Sequence, residues 1–83
     1  MDKDFDTALN TYMLIVLGMD ADEIIYDSGA FEVSFFIDPY DYMYSDYGVV
    51  DVLNHCINIF VEHEHYEKCS DIKEKIEKIS YGI

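Results

Sequence analysis

The sequence predicts a small α+β domain in the order α-β-β-α-α: a two-stranded antiparallel hairpin packed on helices, followed by a C-terminal helical hairpin. Three observations carry that expectation. Apolar residues recur at helical spacing near the start and across the last third of the chain, whereas the middle is rich in β-branched and aromatic residues around a Ser-Gly pair. The chain has 83 residues, 51% hydrophobic and 16% aromatic, enough apolar material for one core but not for two. Residues 1–83 are therefore read as a single acidic domain.

The first helix is expected from Asp4 to Leu17, where Phe5, Ala8, Leu9, Tyr12, Met13, Val16 and Leu17 form an apolar stripe. Asp4 or Asp6 can cap its start, and Gly18 is placed to stop it. Glu23–Asp27 and Phe31–Ile37 read as the two strands, joined at Ser28-Gly29. In the second strand Phe31, Val33, Phe35 and Ile37 alternate with Glu32, Ser34 and Phe36, which makes the first set the core face. Asp38-Pro39 ends it and opens an irregular loop, Tyr40 to Tyr47, with neither period.

A further helix begins near Val49, capped by Ser45 or Asp46, with the stripe Val49, Leu53, Cys56, Ile57, Phe60 and Val61. The last helix carries Tyr66, Cys69, Ile72, Ile76, Ile79 and Ile83. The step from Val61 to Tyr66 breaks the phase between these stripes, so a turn near His63 to His65 is needed to bring both onto one core. A lone hairpin is unstable in water and needs the helices against it.

Charge is the strongest functional signal. Eighteen acids against five lysines give −13, beyond the magnitude of about 2 to 8 that solubility asks of a small domain. Residues 1–67 hold fifteen acids and one base, Lys3, while residues 68–83 hold four lysines and three acids. Such a chain repels DNA, RNA and anionic lipid and attracts basic protein surfaces, the more so at low salt. The absence of Arg and Trp, with scarce Ala and plentiful Ile, Tyr, Asp and Asn, points to an A/T-rich genome such as that of a bacterium or its phage. The longest apolar stretch, Tyr12 to Gly18, is short of the ~20 residues of a membrane span, and no basic region precedes it. A cytoplasmic protein of a bacterial or phage-infected cell is expected. Cys56 and Cys69 are expected to be reduced and buried, since both fall on helical stripes.

Chemistry-bearing patterns are few. His63, His65 and Glu67 are metal-ligand types, but on a helix His63 and His65 point apart, and His55 completes no HExxH. Neither the Asp20, Asp22, Asp27 set nor the Asp38, Asp41, Asp46 set has the glycine and bidentate glutamate of an EF-hand. Nothing places a nucleophile beside a base, and no glycine-rich phosphate loop is present. No metal, no cofactor and no enzymatic activity are expected.

The tyrosine- and aspartate-rich loop is the better lead, because Tyr is a low-entropy contact residue and carboxylates pair with Arg or Lys. Asp20, Asp22, Glu23, Asp38, Tyr40, Asp41, Tyr42, Tyr44, Asp46 and Asp51 are the candidate partner-binding residues. A face bearing roughly ten or more carboxylates matches DNA, which carries about one charge per 1.7 Å. The expected function is to occupy a basic, normally nucleic-acid-binding surface of a partner protein, as an inhibitor. By composition alone the chain is similar to the acidic DNA-mimic proteins of phages and mobile elements, including anti-restriction and anti-CRISPR inhibitors.

The stretch Glu64-His65-Tyr66-Glu67-Lys68-Cys69-Ser70-Asp71-Ile72-Lys73-Glu74-Lys75-Ile76 resembles the UVR motif, a helical hairpin of nucleotide-excision repair proteins and some other bacterial proteins. Cys69-Ser70 stands where the motif has a small pair, and Lys73-Glu74 where it has arginine-aspartate. With the preceding helix the match covers roughly 30 residues. The resemblance implies a protein-contact hairpin, and with it the alternative reading: a helical-hairpin adaptor or homodimer in which acidity serves only solubility.

Overall fold

The chain folds as four helices in this computed structural model, which describes residues 3–29, 32–42 and 47–80. They are α1 (Lys3–Ile15), α2 (Ala21–Ser28), α3 (Tyr47–Glu62) and α4 (Tyr66–Ser80). α1, α3 and α4 form a bundle, with α3 packed on both of the others, and α2 leans on α1. Phe5 of α1 meets Phe60 of α3, while the Cys56 Sγ lies 4.0 Å from the Ala8 carbonyl, so α1 and α3 run antiparallel. The Cys69 thiol points at the Ile57 carbonyl at 3.6 Å, and α3 and α4 form the expected helical hairpin.

The α+β expectation is overturned: among the described residues there is no strand, and the fold is all-helical. The segment expected as the first strand is α2. Ile24, Ile25 and Tyr26 have β-favouring side chains, yet the local end signals favour a helix. Asp20 sits at the N-cap with extended backbone, Asp22 and Glu23 occupy the first turn where they complement the helix dipole, and Gly29 closes the end. Gly29 has φ +63°, and its N–H bonds the Tyr26 carbonyl at 3.4 Å, the left-handed termination that favours glycine. Only Ala21 and Ile24, three residues apart, are buried, a spacing of 3.6 and not 2.

The second expected strand does not form: residues 32–35 carry no regular secondary structure, although Val33, Phe35 and Ile37 are half-buried and Glu32 and Ser34 exposed, and Phe31 lies outside the described residues. Its alternation is therefore real, but Phe36 is half-buried too, and the strap pairs with a helix rather than a strand. The Phe36 N–H donates to Thr11 Oγ1 at 3.0 Å, and Asn10 Nδ2 donates to the Ser34 carbonyl at 3.2 Å. Side chains of α1 thus take the place of a ladder in satisfying this backbone. Thr11, fully buried, also donates to the Thr7 carbonyl at 2.8 Å. Among the described residues no buried side-chain nitrogen or oxygen lacks a partner.

The core comprises Ala8, Tyr12, Leu14 and Ile15 of α1, Ala21 and Ile24 of α2, Val49, Leu53, Cys56, Ile59 and Phe60 of α3, and Cys69 and Ile72 of α4. The face of α1 is rotated from the expected stripe: Leu14 and Ile15 point inward, and Leu17 is 55% exposed because the helix ends at Ile15. Both cysteines are free and buried. Burial pushes the Cys56 thiol up to about 12 and raises that of Cys69, so neither is a ready nucleophile at neutral pH. No helix among the described residues is long and apolar enough to cross a membrane.

The turn between α3 and α4 falls where the phase break requires it. The His65 N–H returns to the Phe60 carbonyl at 2.8 Å and the Glu64 N–H to the Val61 carbonyl at 3.0 Å, with Glu64 at φ +61°. This is a Schellman termination. Its usual apolar contact is made by His65 on Phe60, ring centroids 6.2 Å apart. His63 and His65 both pack against Phe5 with tilted rings, centroids 4.7 and 5.0 Å away.

Candidate functional site

The acidic residues singled out from sequence converge from two segments. The N-terminus of α2 supplies Asp20, Asp22 and Glu23; the turn after the strap supplies Asp38, Tyr40, Asp41 and Tyr42. Asp38 builds that turn: its Oδ1 accepts the Tyr40 N–H at 3.0 Å, and its carbonyl accepts the Asp41 N–H at 3.4 Å, an Asx arrangement that Pro39 suits. The Tyr40 hydroxyl then donates to Asp22 Oδ1 at 2.7 Å, pinning the turn to α2 across 18 positions of sequence.

Between them lies a hollow of about 450 Å³ lined by Leu14, Gly18, Met19, Asp20, Ala21, Asp22, Glu23, Pro39, Tyr40 and Tyr42. No lysine lines it. Its floor is apolar, through Leu14, Met19 and Pro39, and its rim carries three carboxylates and a phenol. Tyr40 is 68% exposed; its hydroxyl pKa is raised, first by the hydrogen bond to Asp22 and then by desolvation and the nearby Asp22 and Asp38 charges. It therefore stays a neutral donor, with the ring face open to a cation. Gly18, at φ +71°, turns the chain from α1 toward α2 in the left-handed conformation that disfavours other residues.

Not all candidates join this arrangement. Tyr42 lines the hollow but is half-buried against the core, so its ring is wall rather than free contact surface. Asp41 is exposed beside the rim. Asp51 is exposed on α3 and does not line the hollow. Tyr44 and Asp46 lie outside the described residues. The floor residues Leu14, Met19 and Pro39 escaped the sequence reading. Leu14 lies one position off the stripe assigned to α1, and Met19 lies in the link after Gly18, where no period signals burial.

The neighbouring groove, lined by Val16, Leu17, Asp71, Glu74, Lys75 and Lys78, mixes both signs. The Tyr12 hydroxyl donates to Asp71 Oδ2 at 2.7 Å, and Lys68 Nζ lies 5.7 Å from the centroid of the same ring, tying α1 to α4. Among the described residues no three His, Cys, Asp or Glu side chains gather in a way that could hold a metal ion. Comparison with family models, with curated proteins and with solved structures finds no match for this chain.

Proposed function

We propose that the protein is a small acidic binder that occupies a basic, nucleic-acid-binding surface of a partner protein through the hollow and rim at α2, and so acts as an inhibitor. The observation that supports this most is the Tyr40–Asp22 link: it closes the turn bearing Pro39, Tyr40 and Tyr42 over the Asp20, Asp22 and Glu23 carboxylates of α2, around one apolar-floored hollow that no lysine lines. An arginine or lysine side chain suits such a seat, its stem over Leu14 and Pro39 and its head among Asp20, Asp22 and Glu23. Asp38 and Asp41 beside it extend the negative field over which a basic groove, built for phosphates, can settle.

The test is capture of partners from a host lysate, repeated with duplex DNA or heparin as competitor, followed by titration of the captured protein. The expected partner is a nucleic-acid-binding protein whose complex is displaced by DNA and weakens at least about tenfold between about 50 and 300 mM salt. Asp20→Lys with Glu23→Lys, both exposed, should abolish binding while the helical circular dichroism persists. A partner that ignores DNA, salt and this double variant overturns the proposal.

The second reading, contact through the α3–α4 hairpin in the manner of the UVR-type motif, is favoured by a different feature. Val61 is 46% and Tyr66 61% exposed on either side of the hairpin turn. Under that reading the Asp20/Glu23 reversal is silent and substitutions of Val61 or Tyr66 abolish binding.

A further inference from the structure

α2 keeps one face in solvent. Its buried residues are Ala21 and Ile24, while Asp22, Ile25 and Tyr26, related by helical steps of three and four, share an exposed face. Tyr26 is 86% exposed, the most of any large apolar side chain among the described residues. Side chains on a helix lean toward its N-terminus, which carries the Tyr26 ring back toward the turn bearing Asp22 and Glu23. From the other segment the Tyr40 hydroxyl donates to Asp22 Oδ1. Asp22 thus neighbours two exposed phenol rings, one bonded to it from the turn after the strap and one a helical turn further along α2. A single exposed tyrosine needs no explanation. Of the six exposed large apolar side chains among the described residues, however, Ile25, Tyr26 and Tyr40 gather around this one carboxylate.

We propose, building on the reading of the α2 rim as the contact for a basic partner, that Tyr26 is a specificity-determining residue of that contact and that the side chain it selects is arginine, not lysine. Carboxylates attract either cation. The rings do not treat them alike: a guanidinium is planar and weakly hydrated, so it lies flat on a phenol face while its in-plane N–H groups reach carboxylate oxygens. A lysine ammonium is a compact, strongly hydrated point charge and gains less from a ring that is itself in water.

Charge decides what can cover this patch. α2 holds Asp22, Glu23 and Asp27 and no base, so an apolar partner would desolvate carboxylates without pairing them, and an acidic one would add repulsion. A cationic segment neutralises them, and arginine also covers the rings. Tyr40 is held at its hydroxyl and Tyr26 stands on a regular helix. Both rings are thus presented by elements that are already ordered, which reduces what binding must fix.

The experiment is titration of the full chain with two labelled peptides of equal charge, oligo-arginine and oligo-lysine, each about ten residues long, in about 150 mM salt, with an oligo-glutamate peptide as background. Oligo-arginine should bind at least about fivefold more tightly. Tyr26→Ala should remove that preference and leave oligo-lysine binding as it was, whereas Tyr26→Phe, which keeps the ring, should retain it. In the unaltered chain the Tyr26 ring-proton resonances should shift on adding oligo-arginine and stay in place with oligo-lysine, a readout that needs no variant. Asp20→Lys with Glu23→Lys should weaken both peptides together. Equal binding of the two peptides, equal shifts of the Tyr26 ring, or a preference that survives in folded Tyr26→Ala overturns the arginine proposal and leaves the basic-partner reading standing. Binding of neither peptide above oligo-glutamate, or binding of both unaffected by the Asp20/Glu23 reversal, overturns that reading and this proposal with it.

Discussion

The bundle of α1, α3 and α4 and the crossover that links α1 to α3 are held by different forces. In the bundle, helix stripes meet across interfaces: Val49, Leu53, Cys56 and Phe60 of α3, all fully buried, face Ala8 and Ile15 of α1 and Ile72 of α4. Burial of such side chains contributes about 1.5–3 kcal/mol each and is not directional. Among its described residues the crossover, α2 and the strap, buries only Ala21 and Ile24. It is located instead by directional bonds: Phe36 N–H to Thr11, Asn10 to the Ser34 carbonyl, Tyr40 to Asp22. The acidic hollow sits on the second kind of structure. Its shape therefore depends on a few hydrogen bonds that can be removed one at a time while the bundle stays folded.

The largest effect expected is in the bundle. Phe60→Ala removes the largest fully buried side chain, with Phe5 and Tyr12 against it edge-on, and should cost about 3–5 kcal/mol. In a domain of this size that is much of the total stability, so urea denaturation should show little folded protein at 37 °C. A loss below about 1 kcal/mol would mean that the bundle is not the cooperative unit.

Thr11→Val separates the regions. The valine keeps the volume but leaves the Phe36 N–H without its acceptor, at an expected cost of about 1–3 kcal/mol. Hydrogen exchange should show faster exchange of the Phe36 amide, with α3 and α4 amides following only the global loss. Thr11→Ser, which keeps the acceptor, should protect that amide again. Equal exchange in the Val variant would show that strap packing, and not this bond, places the turn bearing Asp38 and Tyr40.

The same division explains what was legible in the residues. The helical hairpin of α3 and α4, its turn at 63–65 and the burial of both cysteines follow from one period, 3.6, meeting one phase break at Val61 to Tyr66. Buried area sums over such stripes, so the pattern predicts the outcome. The crossover was misread because Ile24, Ile25, Tyr26 and Val33–Ile37 have β-favouring side chains, while their surroundings favour other conformations: the first-turn acids Asp22 and Glu23 and the left-handed Gly29 suit a helix, and a threonine on a distant helix holds the Phe36 backbone. Propensity yields to such partners. Charge singled out Asp20, Asp22, Glu23 and Asp38 in the sequence, but the Tyr40–Asp22 bond that joins their two segments, and the apolar floor beside it, could not be read from charge.

Alkaline pH probes the α1–α4 tie within the bundle. The Tyr12 hydroxyl is pushed up to about 12 from its ordinary 10 by desolvation, and further by its hydrogen bond to Asp71 and the charges of Asp71 and Glu67. Cys56 is pushed to about 12 from 9 by burial. Both folded values lie above the unfolded ones, so the stability they confer is whole below about pH 9 and is lost as pH rises to about 12. Tyr12→Phe should cost about 1 kcal/mol near neutral pH through the lost hydrogen bond and should flatten the decline above pH 10. Cys56→Ala should flatten it from pH 9. Thermal denaturation across that range tests both, and an unchanged alkaline slope in either variant would place the titrating group elsewhere.

The smallest effect expected is a gain. Glu64 holds the left-handed position of the Schellman turn at φ +61°, where a residue with a Cβ is strained by about 1–2 kcal/mol relative to glycine. Glu64→Gly relieves that strain but adds backbone entropy to the unfolded chain, so a net stabilisation of about 0.5–1 kcal/mol is expected. The gain should appear as slower unfolding, since the His65–Phe60 and Phe5–His63 contacts lock the turn only once α1 has docked. If Glu64→Gly destabilises instead, the carboxylate at this turn makes a contribution to the fold that outweighs its strain. The exposed acids of the bundle would then not be interchangeable with those around the hollow.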